Sequence, residues 1–138
     1  MDFHANYTAI NFLVVFGATL AANLLGGLWY SPILFGRHWR AANAMGPADE
    51  EIGVSVSIFV ASFILFLISA TLLALLLGTN AGGMEGLQFG ALIGFAFVLT
   101  AMGATNLFEG RRLSLILINA GYHVVALSLM GYIIGRWG

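Results

Sequence analysis

The chain has 138 residues, 60% of them apolar and 8% charged, with a formal net charge of −1. A soluble domain carries about 25% charged residues, so a fold this small could not cover its apolar surface in water, and lipid is the fitting solvent. Near-neutral charge excludes a basic nucleic-acid surface, and the absence of Cys excludes disulfides, thiolate metal sites and Cys nucleophiles.

The N-terminal Met1-Asp2-Phe3-His4 carries no Lys or Arg. The apolar stretch that follows is too long for a signal-peptide core and has no clear Ala-x-Ala site after it, so it is expected to be retained. A membrane span needs about 20 mostly apolar residues, and the first is predicted over about 9–30. Ser31-Pro32 then predicts an N-cap with Pro at the first helical position. Ile33, Leu34, Phe35 and Trp39 would anchor this short helix in the membrane interface, with Arg37 and Arg40 as its charged face. Gly46-Pro47 would end it. Asp49, Glu50 and Glu51 precede the second span, about 52–77, where acids complement the helix dipole. An outer turn around Asn80 to Glu85 leads to the third span, about 87–107. Gly110 permits a tight reversal into the fourth, about 113–134. None of the four contains Asp, Glu, Lys, Arg or Pro. They are twice the length of barrel strands and lack polar–apolar alternation. The expected fold is therefore an all-α, integral membrane four-helix bundle forming one domain over 1–138.

Charge orients the bundle. Arg37, Arg40, Arg111 and Arg112 fall on one side and Arg136 alone on the other. The positive-inside rule then puts the first four in the cytoplasm and both termini outside. Trp29, Tyr30 and Trp39 would form the inner aromatic belt, and Tyr7, Tyr132 and Trp137 the outer one.

Two internal echoes occur. Phe16-Gly17-Ala18 matches Phe89-Gly90-Ala91, an offset of 73 (16 to 89), and Leu34-Phe35 matches Leu107-Phe108. Gly36-Arg37 matches Gly110-Arg111 at 74 (36 to 110). A parallel duplication would relate the halves by a pseudo-twofold axis along the membrane normal; chance in a Leu/Phe/Gly/Ala-rich chain is the alternative.

In lipid, small residues take over helix association because they let backbones approach. Gly86, Gly90 and Gly94 form a tandem GxxxG row, which Ala101 and Thr105 would continue. Ala18, Ala22 and Gly26 make a similar stripe in the first span, and Gly131 and Gly135 in the fourth. Such stripes serve either packing within one bundle or a homo-oligomer interface.

Ionisable residues at membrane depth are functional candidates, and His123 in the fourth span is the one present. Asn119 lies one turn earlier on the same face; Asn23, Thr100 and Asn106 are the other polar candidates. They read either as a polar track with His123 as a proton or ligand site, or as interhelical hydrogen bonds worth roughly 0.6 kcal/mol each. Asn23 or Thr100 would satisfy the His123 ring. His4, His38 and His123 fall at different depths, so no metal site is expected. Neither a Ser-His-Asp set nor a phosphate loop is evident, and no cofactor is implied. At the inner rim, Glu109 would bridge Arg37 or Arg40, or Arg37, Arg40, Arg111 and Arg112 would hold anionic lipid headgroups.

Gly26-Gly27-Leu28-Trp29-Tyr30-Ser31-Pro32, with Leu34-Phe35-Gly36 and Trp39, resembles a bacterial membrane family catalogued as domain of unknown function 1761. Asn106-Leu107-Phe108-Glu109-Gly110-Arg111 and Leu117-Ile118-Asn119-Ala120-Gly121-Tyr122 are similar to the same family. The resemblance implies four spans and membrane residence, but no activity; the bacterial inner membrane is the expected location. The expectation is a non-enzymatic membrane protein acting as a homo-oligomer or a subunit of a larger complex, with membrane lipid as its other partner. A small oligomeric transporter or channel is the alternative.

Overall fold

The computed structural model describes residues 7–43 and 55–138. The expected roles of His4, Gly46-Pro47, Asp49, Glu50 and Glu51 lie outside them. Four helices are long and apolar enough to cross a membrane: Phe12–Trp29, Val56–Leu77, Gly83–Phe108 and Leu113–Trp137. A short helix, Gly36–Ala42, joins the first pair, and no strand occurs among the described residues. At 1.5 Å per residue the spans run from about 27 to 39 Å, against a hydrocarbon core of about 30 Å that about 17–25 residues cross.

The ends differ from expectation where local hydrogen bonds decide them. The third span starts at Gly83, four residues before the predicted Leu87, because Glu85 folds back and accepts the Gly82 N–H at 3.5 Å. That carboxylate also suits the positive end of the helix. The fourth span runs on to Trp137, with Arg136 in its last turn and over the Trp137 ring at 5.7 Å. The short helix starts at Gly36, not Pro32. Ser31 does not cap it: its hydroxyl donates back to Leu28 O at 2.6 Å. The chain then turns tightly, with Phe35 N–H donating to Trp29 O and Gly36 N–H to Ser31 O, both at 2.9 Å.

Gly36 is buried in that turn, and a methyl group there would strike the Tyr30 and Ser31 carbonyls, both backbone. Gly36→Ala is expected to destabilise the turn by about 1–3 kcal/mol. Faster hydrogen exchange confined to residues 31–42 would report it; unchanged exchange would show that the turn is not so tight.

The fourth span is the hub. It packs extensively on the third and the first, and less on the second. The second leans on the first but barely touches the third. At the contact of the third and fourth spans the backbones meet: Gly86 lies against Gly131, Gly90 against the Leu127 carbonyl, and Gly94 against Val124. The glycine row of the third span is thus occupied within one chain. Ala18 and Ala22 are fully buried, and Gly26 sits under the Tyr122 ring.

Past Gly94 the third span changes. Gly94–Leu99 is a π-helical segment, whose wider turn holds an extra residue. The inward face therefore slips by one position. Ala101 and Thr105, expected to continue the glycine row, are exposed, whereas Met102 and Asn106 are half-buried. Beyond the slip the helix leaves its neighbour, and no residue of Thr100–Phe108 is buried.

These contacts do not follow the proposed twofold symmetry. Gly17 has no atom within 4 Å of an added methyl, while Gly90, its counterpart by sequence, is jammed against backbone.

Candidate functional site

Two features lie at membrane depth: an aromatic seam between the first and fourth spans, and a cleft beside it.

The seam is built from the motif residues of both halves. Trp29 Nε1–H donates to Ile118 O at 3.0 Å, Tyr30 O–H to Asn119 Oδ1 at 2.9 Å, and Tyr122 O–H to Ala22 O at 2.8 Å. The rings pack in series: Phe35 lies tilted against Trp29 at 4.6 Å, and Trp39 meets Tyr30 edge to face at 5.8 Å. The short helix is thereby tied to the ends of both spans.

The cleft exists because the second and third spans both rest on the fourth without closing on each other. It has a volume of about 430 Å³. Ser62, Phe66 and Ser69 line one wall, Ile93 and Val98 the other, and His123 lies on the floor. In a regular α-helix, residues five apart point in different directions; the π segment brings Ile93 and Val98 onto one face. The His123 ring stacks on Phe66 at 5.9 Å and 27°, with Tyr122 tilted against it at 5.2 Å.

The expected polar track does not assemble. Asn23 Nδ2 donates to Thr19 O, Thr100 Oγ1 to Ala96 O and Asn106 Nδ2 to Met102 O, each four residues back in its own helix. Asn119 accepts from Tyr30. Neither Asn23 nor Thr100 reaches His123, and no described residue hydrogen-bonds its ring. Inside hydrocarbon, a Ser, Thr or Asn with no neighbour in range takes the nearest carbonyl of its own backbone. The Thr100 hydroxyl does so within the wide turn, also reaching Phe97 O at 3.1 Å.

At the rim, Glu109 pairs with Arg111, two residues away, at 3.4 Å, and both side chains are about half exposed (52% and 50%). The expected bridge from Glu109 to Arg37 or Arg40 is not formed, because Gly110, at φ +70°, reverses the chain and brings Arg111 closer first. Such an exposed pair contributes little. Arg37 and Arg112 are exposed and Arg40 is half-buried. Among the described residues no three His, Asp or Glu side chains converge as a metal site would need.

Sequence reasoning missed Ser62, Phe66 and Ser69. Their spacing was visible: four and then three residues apart places all three on one helical face.

A family model described as Protein of unknown function (DUF1761) matches residues 13–135, nearly the whole chain. The chain belongs to the DUF1761 family. No curated protein and no solved structure matches it. The DUF1761 match takes in every residue of the seam and the cleft. The family description assigns no chemistry to either, so their function is argued from geometry.

Proposed function

We propose that this DUF1761 protein is a non-enzymatic integral membrane protein that binds an apolar molecule entering sideways from the bilayer. The observation that carries the reading is the cleft: about 430 Å³ between the second and third spans, mostly apolar, with an imidazole on its floor. That volume falls within the roughly 300–1,000 Å³ of small-molecule sites. Asn23, Thr100 and Asn106 are engaged with their own helices and Asn119 with the seam, which supports a holding role for these four. In this reading both termini face outward from the bacterial inner membrane. Arg37, Arg40, Arg111 and Arg112 then lie on the cytoplasmic side against anionic headgroups.

A second reading is self-association or membership of a larger complex. It is favoured by the breadth of apolar surface on the second span and on Thr100–Phe108. The glycine row is less suited to such an interface, being already filled within the chain.

Because the chain has no Cys, a single Ser69→Cys variant can carry one nitroxide label in liposomes. Collision with oxygen, which partitions into lipid, but not with a water-soluble nickel chelate is the expected result. Collision with the chelate would overturn the proposal in favour of a water-filled transport path. Protection from both would mean that another chain covers the cleft.

A further inference from the structure

We propose that the cleft selects a lipid alcohol, an uncharged amphiphile whose hydroxyl bonds the His123 imidazole while its aliphatic body lies along the second span. This rests on the laterally open cleft proposed above and adds its specificity.

Three observations point to the ligand class. First, the His123 ring faces the cleft with no hydrogen-bond partner among the described residues. A neutral imidazole has one N–H to donate and one nitrogen to accept, and leaving either unpaired in an apolar medium is costly. Ser62 lies one turn from Phe66 on the same wall, and its hydroxyl has no partner among the described residues either. A hydroxyl both donates and accepts, so it complements either group; a hydrocarbon complements neither.

Second, among the described residues no Asp, Glu, Lys or Arg lines the cleft. A carboxylate or ammonium ligand would enter hydrocarbon without a counter-charge, which is unfavourable by several kcal/mol. The occupant is therefore uncharged.

Third, the polar groups sit toward one end. From Ser62 to Leu76 the wall runs about 21 Å, at 1.5 Å per residue. Phe66, which marks the depth of His123, is only one turn from the Ser62 end. From Phe66 to Leu76 about 15 Å remain, lined by Leu72, Leu73 and Leu76 with Ser69 among them. The Ser69 hydroxyl is already bonded to Leu65 O. A polar head at one end and a long apolar run beyond it is the shape of an amphiphile. The π segment, by turning both Ile93 and Val98 inward, lines the opposite wall with aliphatic groups over the same stretch.

The test uses the full chain in liposomes with three photoactivatable probes of equal length: hexadecanol, hexadecane and palmitate, each bearing a mid-chain diazirine. Labelled residues are mapped by mass spectrometry. The expected result is saturable labelling of the 62–76 and 93–98 walls by the alcohol, at about tenfold lower concentration than by the alkane, as one buried hydrogen bond would give. His123→Phe retains the stacking on Phe66 and is expected to reduce the alcohol to the alkane's level. His123→Gln, which keeps a donor and an acceptor, is expected to restore part of the preference. Equal labelling of the walls by alcohol and alkane overturns the selectivity but leaves the lateral cleft standing. Preference for palmitate also overturns it. No labelling of the walls by any probe overturns both the selectivity and the cleft reading.

Discussion

Gly90→Leu is expected to destabilise the fold by about 3 kcal/mol or more, while Gly17→Leu changes it by less than about 0.5 kcal/mol. The two glycines occupy equivalent places in the two sequence echoes, so on a symmetric duplication they would respond alike. The structure separates them. A methyl group on Gly90 would meet the Leu127 carbonyl and the Ser128 nitrogen, all backbone of the facing helix, so no rotamer change relieves it. The same group on Gly17 meets nothing within 4 Å and points into lipid. Leucine is also a better helix former than glycine, so the second substitution carries a small favourable term. In the first, the third span must move away from the fourth. Because helices in lipid gain little from hydrophobic burial, the lost close packing is not recovered elsewhere. Unfolding of the purified protein in dodecyl maltoside by rising fractions of dodecyl sulfate, followed by tryptophan fluorescence, measures both. Equal midpoints for Gly90→Leu and the unchanged protein would refute the backbone contact.

The four spans were legible in the sequence because their cause is local. Each is a run without charge and long enough to cross, and the structure places all four starts and all four ends within about four residues of the sequence estimate, close to what such boundaries generally allow. The glycine row was legible as far as Gly94, since a 4-residue repeat on a 3.6-residue helix stays on one face. It failed at Ala101 and Thr105 because the π segment Gly94–Leu99 advances the register by one residue, and no residue in that segment announces a wide turn. The polar candidates failed differently. Asn23, Thr100 and Asn106 were read as reaching between helices, but each had a carbonyl of its own helix nearer than any partner. His123 was visible as the lone ionisable residue at depth. That it faces a gap rather than a partner depends on the spacing of the second and third spans, which is set by the hub contacts of the fourth and not by any local pattern. The seam lay between the two readings: Trp29, Tyr30, Asn119 and Tyr122 carried the family resemblance, yet only the fold shows that these two motifs bond each other across 89 residues of chain.

Tyr122 is where the seam and the cleft meet, and its variants should separate packing from hydrogen bonding. The side chain is 6% exposed. Its ring lies between Trp29, Tyr30, Phe66 and His123, at centroid distances of 5.2 to 6.2 Å. Tyr122→Ala removes all four contacts and leaves a cavity, so a loss of about 3–5 kcal/mol is expected. Tyr122→Phe keeps the ring and forfeits only the bond to Ala22 O, an expected loss of about 1 kcal/mol or less, because a helical carbonyl retains its own backbone partner. Gly26 supplies the decisive comparison. A methyl group there would lie 2.9 Å from the Tyr122 hydroxyl oxygen and 3.2 Å from Cζ, so Gly26→Ala must push the phenol away from Ala22. With the hydroxyl removed, much of that conflict is gone. The cost of Gly26→Ala is therefore expected to fall by roughly 0.5 kcal/mol or more in the Tyr122→Phe background, a coupling that independent sites do not show. Strict additivity in the same dodecyl sulfate titration would mean that the phenol does not sit against Gly26. The ring would then not be held where it braces His123 against Phe66, and the floor of the cleft would lose the fixed imidazole on which its chemistry depends.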